Sequence, residues 1–265
     1  MAIDAWARVH EKARIGDGTT IGPFAVVGPD VTVGEDCEIA NGVVLSGHTT
    51  IGRENRIHPH AVIGGPPQDL KHKGEPTRLE VGDRNEIREG VTLNVGTVGG
   101  GGVTRVGSDA LVMAYAHVAH DCQVGDGVIL GNNTMLAGHV IVRDGVTLNG
   151  GAAVHHFATL GRFSYIGGLS RLVQDVPPFL IVEGHPVRLG GVNVIGLRRR
   201  VFDQELITEI RGAYRRIFRS TTPQARVLEE MRTEWDDLVP EIREMVEFVE
   251  ATARGKHGRA LEATR

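Results

Sequence analysis

The sequence predicts a mainly β protein in which short parallel strands stack into a solenoid, followed by a small C-terminal α-helical domain. Aliphatic residues recur every six positions over most of the chain. A period of six is a multiple of the two-residue strand repeat but not of the helical repeat of about 3.6 residues. Glycine is abundant, at 36 of 265 residues, and aromatic residues make up only 5%. This composition favours a core of small and branched aliphatic side chains.

The six-residue repeat holds one phase from residue 9 to 93 and, after a slip of one residue, a second phase from residue 106 to 172. We expect each aliphatic side chain to point inward, with corners between short strands and coils stacked about 4.8 Å apart. Glycine follows the aliphatic residue in many hexads, where tight corners are expected to need permissive dihedral angles. The inward positions are Val9, Ile15, Ile21, Val27, Val33, Ile39, Leu45, Ile51, Ile57, Ile63, Val81, Ile87, Leu93, Val106, Val112, Val118, Val124, Leu130, Leu136, Val142, Leu148, Val154, Leu160, Ile166 and Leu172.

Two stretches break the period and predict loops near 65–80 and 98–104. The second stretch contains the glycine run 99–102, which we interpret as a loop because no helix follows it as in a phosphate-binding motif. Loops on a rigid scaffold often carry function. Both insertions are therefore candidates for contributing to a site.

The C-terminal part of the chain has helical spacing. The six-residue period fades after Pro178, and apolar residues recur at three- and four-residue intervals from Asp203 onward. Thr222 is expected to cap a second helix with Pro223 at its first position, and Pro240 to open a third. We expect a β-helix over 1–197, a helical domain over 198–265, and fraying after residue 254.

Composition and charge exclude several classes of protein. The net charge of −4 and a pI of about 6.3 give no support for a nucleic-acid partner. No signal peptide and no apolar stretch of membrane-spanning length is evident, which predicts a cytoplasmic protein without integral membrane association. Cys37 and Cys122 are too few for a disulfide framework and too far apart for a zinc knuckle, so we expect buried thiols.

Histidines concentrate on one predicted face of the solenoid. If one coil takes three hexads, His120, His139 and the pair His155 and His156 lie on the same face of successive coils. A histidine oriented by the adjacent Asp121 can act as a general base towards a hydroxyl group. Two alternatives remain open: histidines that hydrogen-bond at a subunit contact, and a zinc site shared between subunits, although the further ligands of a hydratase-like zinc site are not evident.

Eight short motifs accompany the six-residue repeat. They are PQDLK at 67–71, GEPTR at 74–78, GDRN at 82–85, HVAHDC at 117–122, LAGHV at 136–140, QDVPP at 174–178, GVN at 191–193 and GLRRR at 196–200. Together with the repeat, these motifs resemble the UDP-N-acetylglucosamine O-acyltransferases of lipid A biosynthesis, which fold as a left-handed parallel β-helix of hexapeptide repeats. The sister N-acyltransferases carry a globular domain before their repeat, whereas here the repeat begins at Val9.

The resemblance implies a reaction and its participants. A 3-hydroxyacyl group would pass from the phosphopantetheine thioester of acyl carrier protein to the 3-hydroxyl of UDP-N-acetylglucosamine. The sites would lie between the subunits of a homotrimer, with no cofactor and no metal. His120 would be the base, Asp121 its orienting group, and the N–H of Gly138 would face the thioester oxyanion. Residues implied to bind substrate are Asp69, Lys71, His117, His139, His155, Gly168, Asn193, Arg199 and Arg200.

Three positions depart from the pattern of that family. Ile195 stands where a glutamate is usual, Val95 replaces an arginine, and His72 replaces a tyrosine. Loss of a carboxylate changes which sugar hydroxyls a site can satisfy. A transferase acting on a related UDP-amino sugar, and a non-catalytic protein that binds the nucleotide sugar or the carrier, are therefore alternatives.

Overall fold

The computed structural model describes residues 2–200 and 202–263, and within these ranges the repeat forms a parallel β-helix with three sheets. Each coil gives one short strand to sheets A, B and C in turn, so that residues one coil apart pair, as Val118 does with Leu136. We name the corners AB, BC and CA after the sheets that they join.

The strands are assigned to the sheets as follows. Sheet A contains β1 (Ala2–Ile3), β4 (Thr20–Ile21), β7 (Glu38–Ile39), β10 (Arg56–Ile57), β13 (Glu86–Ile87), β16 (Leu111–Val112), β19 (Ile129–Leu130), β22 (Thr147–Leu148), β25 (Tyr165–Ile166), β27 (Leu180–Gly184) and β28 (Val187–Val192). Sheet B contains β2 (Arg8–Val9), β5 (Val26–Val27), β8 (Val44–Leu45), β11 (Val62–Gly65), β14 (Thr92–Asn94), β17 (His117–Val118), β20 (Met135–Leu136), β23 (Ala153–Val154) and β26 (Arg171–Leu172). Sheet C contains β3 (Arg14–Ile15), β6 (Val31–Val33), β9 (His48–Ile51), β12 (Arg78–Val81), β15 (Val103–Val106), β18 (Gln123–Val124), β21 (Ile141–Val142) and β24 (Thr159–Leu160).

The predicted inward positions form the core of the β-helix. From Ile21 to Leu172, none of these side chains is more than 4% exposed. Val9 and Ile15 are only partly buried because they lie in the first coil of the described stack. The six-residue period therefore predicted the interior correctly.

The glycines after the inward residues have a different cause from the predicted one, and the explanation from dihedral freedom is wrong for most of them. Gly16 and Gly34 do not have positive φ. A Cβ atom on Gly16 would lie 2.5 Å from the backbone of Gly34, and one on Gly34 would lie 2.6 Å from that of Gly52. Glycine is needed there because stacked coils approach too closely for a side chain. The left-handed conformation falls on many corner residues that carry side chains, such as Asp36 (φ 53°) and Asp121 (φ 61°).

A second apolar core lies between the end of the β-helix and four helices, and it contains Phe179 and Leu180. The first helix begins at Val194, ahead of the expected domain boundary at 198. The second begins at Gln204, next to the residue from which helical spacing was predicted, and Asp203 is its N-terminal cap. Pro223 is itself the N-terminal cap of the third helix, one residue later than predicted, and Pro240 opens the fourth as predicted. The helices are α1 (Val194–Arg199), α2 (Gln204–Arg219), α3 (Gln224–Thr233) and α4 (Pro240–Arg254), with 3₁₀ turns at Val98–Gly100, Trp235–Asp237 and Ala260–Ala263.

The segment after α4 is ordered as far as residue 263, so the prediction of fraying is wrong for its described part. Lys256 and Arg259 form an antiparallel bridge, and the turn Ala260–Ala263 follows it. None of the helices in the described ranges has both the length and the apolar character of a bilayer-spanning segment.

Candidate active site

The BC corner stacks functional side chains at intervals of one coil. Asp121, His139 and Phe157 occupy equivalent positions in three successive coils, and all three have left-handed backbone conformations with φ of 61–64°. The N–H of His139 donates to the carbonyl of His120 at 3.0 Å, which fixes the stacking. The His139 and Phe157 rings stack with centroids 4.5 Å apart.

His120 and Asp121 form a buried pair at this corner. Nδ1 of His120 lies 2.7 Å from Oδ2 of Asp121, and the residues are 8% and 4% exposed. Nε2 of His139 lies 3.8 Å from the same carboxylate oxygen. The expected orientation of His120 by Asp121 therefore has direct hydrogen-bond geometry.

The second insertion holds the carboxylate in place. The backbone N–H of Thr97 donates to Oδ1 of Asp121 at 2.8 Å, and the Thr97 hydroxyl donates to Oδ2 at 2.6 Å. The N–H of Asp121 itself donates to the Thr104 hydroxyl. A Cβ atom on Gly100 would lie 2.0 Å from the Asp121 carboxyl carbon, so the turn Val98–Gly100 fits against the carboxylate only with glycine there. Sequence reasoning missed these contacts because it interpreted the glycine run as a plain loop.

The charge state of Asp121 sets the tautomer of His120. Burial raises the pKa of Asp121, but the hydrogen bonds from His120 and Thr97 lower it further than burial raises it, so that the pKa lies below its usual value. An ionised carboxylate accepts hydrogen bonds only. Nδ1 of His120 must therefore carry a proton, and in the neutral form of the ring the lone pair that can accept another proton is on Nε2.

Gly138 lies directly against the His120 ring. A Cβ atom on Gly138 would lie 2.5 Å from Cε1 and 2.7 Å from Nε2 of His120. Within the described residues the N–H of Gly138 meets no acceptor, whereas the N–H of the next residue, His139, does. The arrangement places an available donor beside the basic nitrogen.

The first insertion closes one side of a cleft of about 500 Å³ beside the corner. The N–H of Lys71 donates to Oδ1 of Asp69 at 3.0 Å. This bond is the main cause that lowers the pKa of Asp69, and the charges of His120, Lys71 and His139 act in the same direction. The structure thus brings the predicted Asp69, Lys71, Asp121 and His139 into one cleft. Its lining comprises Asp69, Lys71, His72, Glu75, Thr97, Val98, Gly99, Gly100, Asp121, Gln123, His139, Ile141, Phe157 and Leu261.

His117 lies in β17 of sheet B next to this corner, and His155 follows β23 at the start of the BC corner, two coils further along the stack. Nδ1 of His117 is 2.7 Å from the hydroxyl of Thr92. Burial, and secondarily the charge of His120, lower the pKa of His117. The ring of His155 contacts that of His156, and its Nδ1 lies 3.1 Å from the His156 carbonyl. Neither residue is part of the cleft lining, although the charge of His120 acts on His117.

The remaining predicted ligand residues lie elsewhere in the chain. Gly168 is exposed at the AB corner, on the opposite edge of sheet B. The side chain of Asn193 caps α1 by accepting from Gly196 and donates to the Phe163 carbonyl. Arg199 is exposed at the end of α1. Arg200 donates to the Gly127 carbonyl at the CA corner, at 2.9 Å. A single chain does not bring these four residues to His120.

One group in the described part of the chain has side chains spaced for a metal ion. His120, Asp121 and His139 offer ligand atoms within 4.8 Å of one another. Oδ2 of Asp121 already accepts from His120 and from Thr97, and a metal ion bound there would displace the His120 hydrogen bond. These three side chains therefore fit a hydrogen-bonded general base as well as they fit a metal site. That the protein needs no metal ion stays a prediction.

Comparison with known proteins identifies the family. A model described as UDP-N-acetylglucosamine O-acyltransferase, domain 2, matches residues 175–256, and a bacterial transferase hexapeptide model matches 12–47, 30–65 and 104–138. An acyl-[acyl-carrier-protein]–UDP-N-acetylglucosamine O-acyltransferase of Anaeromyxobacter sp. is 46% identical over 211 residues, covering 80% of this chain and 82% of the relative. The chain belongs to the UDP-N-acetylglucosamine O-acyltransferase family.

Solved structures of this family agree with that assignment. The UDP-N-acetylglucosamine acyltransferase of Francisella novicida superposes with a TM-score of 0.90 at 33% identity, covering 94% of this chain and 91% of the other. That of Bacteroides fragilis gives 0.89 at 39% identity, covering 93% and 96%. The predicted resemblance and the predicted fold, a left-handed parallel β-helix with a C-terminal helical part, are confirmed.

Proposed function

We propose that this chain transfers a 3-hydroxyacyl group from acyl carrier protein to the 3-hydroxyl of UDP-N-acetylglucosamine, the first step of lipid A biosynthesis. The observation that carries the proposal is the buried His120–Asp121 pair at the cleft of a chain from this acyltransferase family. The Anaeromyxobacter relative is named for the same donor and acceptor.

His120 is the general base in this reaction. Its Nε2 takes the proton of the sugar hydroxyl as the hydroxyl oxygen attacks the thioester carbonyl. The ionised Asp121, held by Thr97, keeps the ring oriented and stabilises the imidazolium that forms. The proton then passes to the leaving phosphopantetheine thiolate as the carbon–sulfur bond breaks, which regenerates the neutral imidazole.

The N–H of Gly138 stabilises the negative charge on the former carbonyl oxygen. It is an available backbone donor next to Nε2 of His120, and a fixed donor at the developing oxyanion needs no reorganisation during the reaction. Asp69 and Lys71, which line the cleft, hydrogen-bond the sugar. No step requires a covalent acyl-enzyme or a metal ion.

The active unit is a homotrimer whose sites lie between neighbouring chains. Sheet B and the AB corner carry large apolar side chains with high exposure: Phe24 at 66%, Val26 at 41%, Tyr115 at 66%, Met135 at 51% and Leu169 at 81%. Contact between chains through this surface would bury these side chains. It would also bring Gly168 of a neighbouring chain towards the histidines, which one chain alone does not do.

The basic end of α1 is the contact for acyl carrier protein or for the nucleotide. Arg199 is exposed there, and Arg200 lies at the CA corner beside it. Guanidinium groups match the geometry of phosphate and carboxylate groups.

Purified protein incubated with UDP-N-acetylglucosamine and a panel of 3-hydroxyacyl carrier proteins tests the proposal by mass spectrometry. We expect one O-acylated product, equal turnover with and without a chelator, and a trimer by light scattering. If only a related UDP-amino sugar were acylated, that sugar would be the acceptor in place of UDP-N-acetylglucosamine. Absence of transfer to any acceptor would overturn the proposal.

A further inference from the structure

The C-terminal segment after α4 docks on the BC corner one coil beyond Phe157. The N–H of Asp175 donates to the carbonyl of Gly258 at 2.8 Å, and the guanidinium of Arg259 donates to the carbonyl of Val173. Arg259 is only 6% exposed, and it also pairs with Glu262 at 2.9 Å. A buried arginine that bonds to the adjacent coil fixes the segment more firmly than an exposed ion pair would.

Asp175 is the centre of this attachment. Its Oδ1 accepts from the N–H of Thr159 at 2.7 Å, and its Oδ2 accepts from the N–H of Ala260 at 2.8 Å and from the Thr252 hydroxyl at 3.2 Å. One carboxylate therefore ties sheet C, α4 and the C-terminal segment together. A buried carboxylate with all of these partners is costly to disturb.

The attachment places Leu261 in the wall of the cleft that Asp121 and His139 also line. Leu261 lines the cleft together with the apolar side chains of Ile141 and Phe157, and the lining also includes the charged residues Asp69 and Lys71. The corner positions of His120 and Asp175 are three coils apart, which corresponds to about 14 Å at a strand spacing of about 4.8 Å. The far part of a long ligand bound at His120 would therefore reach the level of the C-terminal segment.

We propose that Leu261, positioned by Asp175 and Arg259, contacts the far part of the donor acyl chain and helps to set the preferred chain length. The proposal rests on the proposed function, because it takes the donor to be an acyl carrier protein. The apolar side chains of Ile141, Phe157 and Leu261 in the cleft wall suit the methylene chain and not the nucleotide sugar, whose hydroxyl and phosphate groups need polar partners. Gly168 lies in the same coil as Asp175, at the opposite corner of sheet B.

Chain-length profiles of Leu261 variants test the proposal. We expect Leu261→Ala to lower the ratio of kcat/KM for long over short 3-hydroxyacyl donors by about fourfold or more, because each buried methylene contributes about 0.8 kcal/mol. Leu261→Trp should move the optimum to shorter donors. The KM for UDP-N-acetylglucosamine should stay within about twofold of the wild-type value. Leu238→Ala is the matched control, because Leu238 packs against the helical core away from the cleft, and its profile should equal that of the wild type.

An Asp175→Asn variant separates positioning from contact without relying on activity. Release of the C-terminal peptide by trypsin at Lys256 should be slow in the wild type and at least about tenfold faster in this variant, because the amide has only one oxygen to accept the hydrogen bonds that the two carboxylate oxygens accept from Thr159, Ala260 and Thr252. The variant should also reproduce the Leu261→Ala profile. If both Leu261 variants were active and had the donor chain-length profile of the wild type, the role of Leu261 would be overturned while the proposed function would stand. A wild-type chain that transfers no acyl group, but protects its C-terminal segment from trypsin, would overturn the proposed function and, with it, the role of Leu261 in donor choice.

Discussion

The AB and BC corners flank the same sheet and are built on the same coils, yet they present different chemistry. Residues at the AB corner, such as Tyr115 and Leu169, are exposed, at 66% and 81%. At the BC corner Asp121 is 4% exposed, because the turn Val98–Gly100 covers it. Both corners use the left-handed backbone conformation at equivalent positions, including Tyr115 (φ 60°) and Asp121 (φ 61°).

The comparison shows that the scaffold does not determine where the site forms. The same backbone geometry carries an open apolar surface at one corner and a buried charge at the other. What distinguishes the BC corner is its covering by two insertions and by the C-terminal segment. A His–Asp pair is effective in surroundings of low dielectric constant. Here the two insertions and the C-terminal segment provide these surroundings, and the repeat does not.

The largest expected effect is the loss of the base at the BC corner. We expect His120→Ala to lower kcat by about 10²–10⁴-fold, the range for removal of a general base. His60→Ala is the control at the AB corner, since His60 is an exposed histidine at the left-handed corner position that Asp121 occupies at the BC corner. Steady-state kinetics on both variants should show near-wild-type activity for the control alone. Equal losses in the two variants would remove the distinction between the corners.

The next effect concerns the close approach of Gly138 to the base. We expect Gly138→Ala to lower kcat by about 10²-fold, because the new methyl group would displace the His120 ring and disturb an oxyanion donor. Gly28→Ala is a control at the BC corner nearer the N-terminus, where the closest atom to the added carbon is 3.4 Å away. Retained turnover in the Gly138 variant would mean that the ring does not need its present position.

A smaller effect is expected from the covering insertion. Thr97→Val removes the hydroxyl that donates to Asp121, and we expect kcat to fall by about tenfold, the equivalent of one hydrogen bond to a charged group. Thr97→Ser retains the hydroxyl and should restore most of the rate. If both variants matched the wild type, the insertion would only shield the pair and not orient it.

The AB corner should affect donor choice rather than rate. Gly168 is exposed, and the nearest atom to an added Cβ is 3.3 Å away. We expect Gly168→Met to shift the optimum towards shorter acyl chains without a severe loss of the best rate. A donor-length profile measures the shift, and an unchanged profile would show that the acyl chain takes another path.

The smallest effect concerns stability. Because burial lowers the pKa of His117 in the folded chain, the unfolded chain binds this proton at a higher pH than the folded chain does. The free energy of unfolding should therefore fall as the pH decreases from about 6.5. The His117→Asn variant can keep a hydrogen bond to Thr92 but cannot bind this proton. Its free energy of unfolding should therefore depend less on pH in this range than that of the wild type. Urea unfolding of both proteins across pH 5–8, at equal protein concentration, measures the difference. Parallel curves would contradict the prediction.

The repeat and the His120–Asp121 pair could be predicted from the sequence because both depend on residues that are close together in the chain. A residue such as Val112 must point inward once the period is known, and adjacent residues at a corner are already within reach of each other. Thr97 and Gly100 were not predictable as partners of Asp121, because an insertion without a period has no defined register. The same holds for Leu261, whose position depends on a buried carboxylate far away in sequence.

The first coil has one further consequence. Among the described residues each coil of the β-helix packs against its neighbouring coils, and the first coil, which contains Val9 and Ile15, has one such neighbour. The other end of the stack packs against the helical core around Phe179. Local unfolding should therefore start at the first coil. Amide hydrogens should exchange fastest in the strands β1–β3 and slowest in the coils between the insertions and the helices. Opening of the terminal coil would proceed without disturbing His120, several coils away.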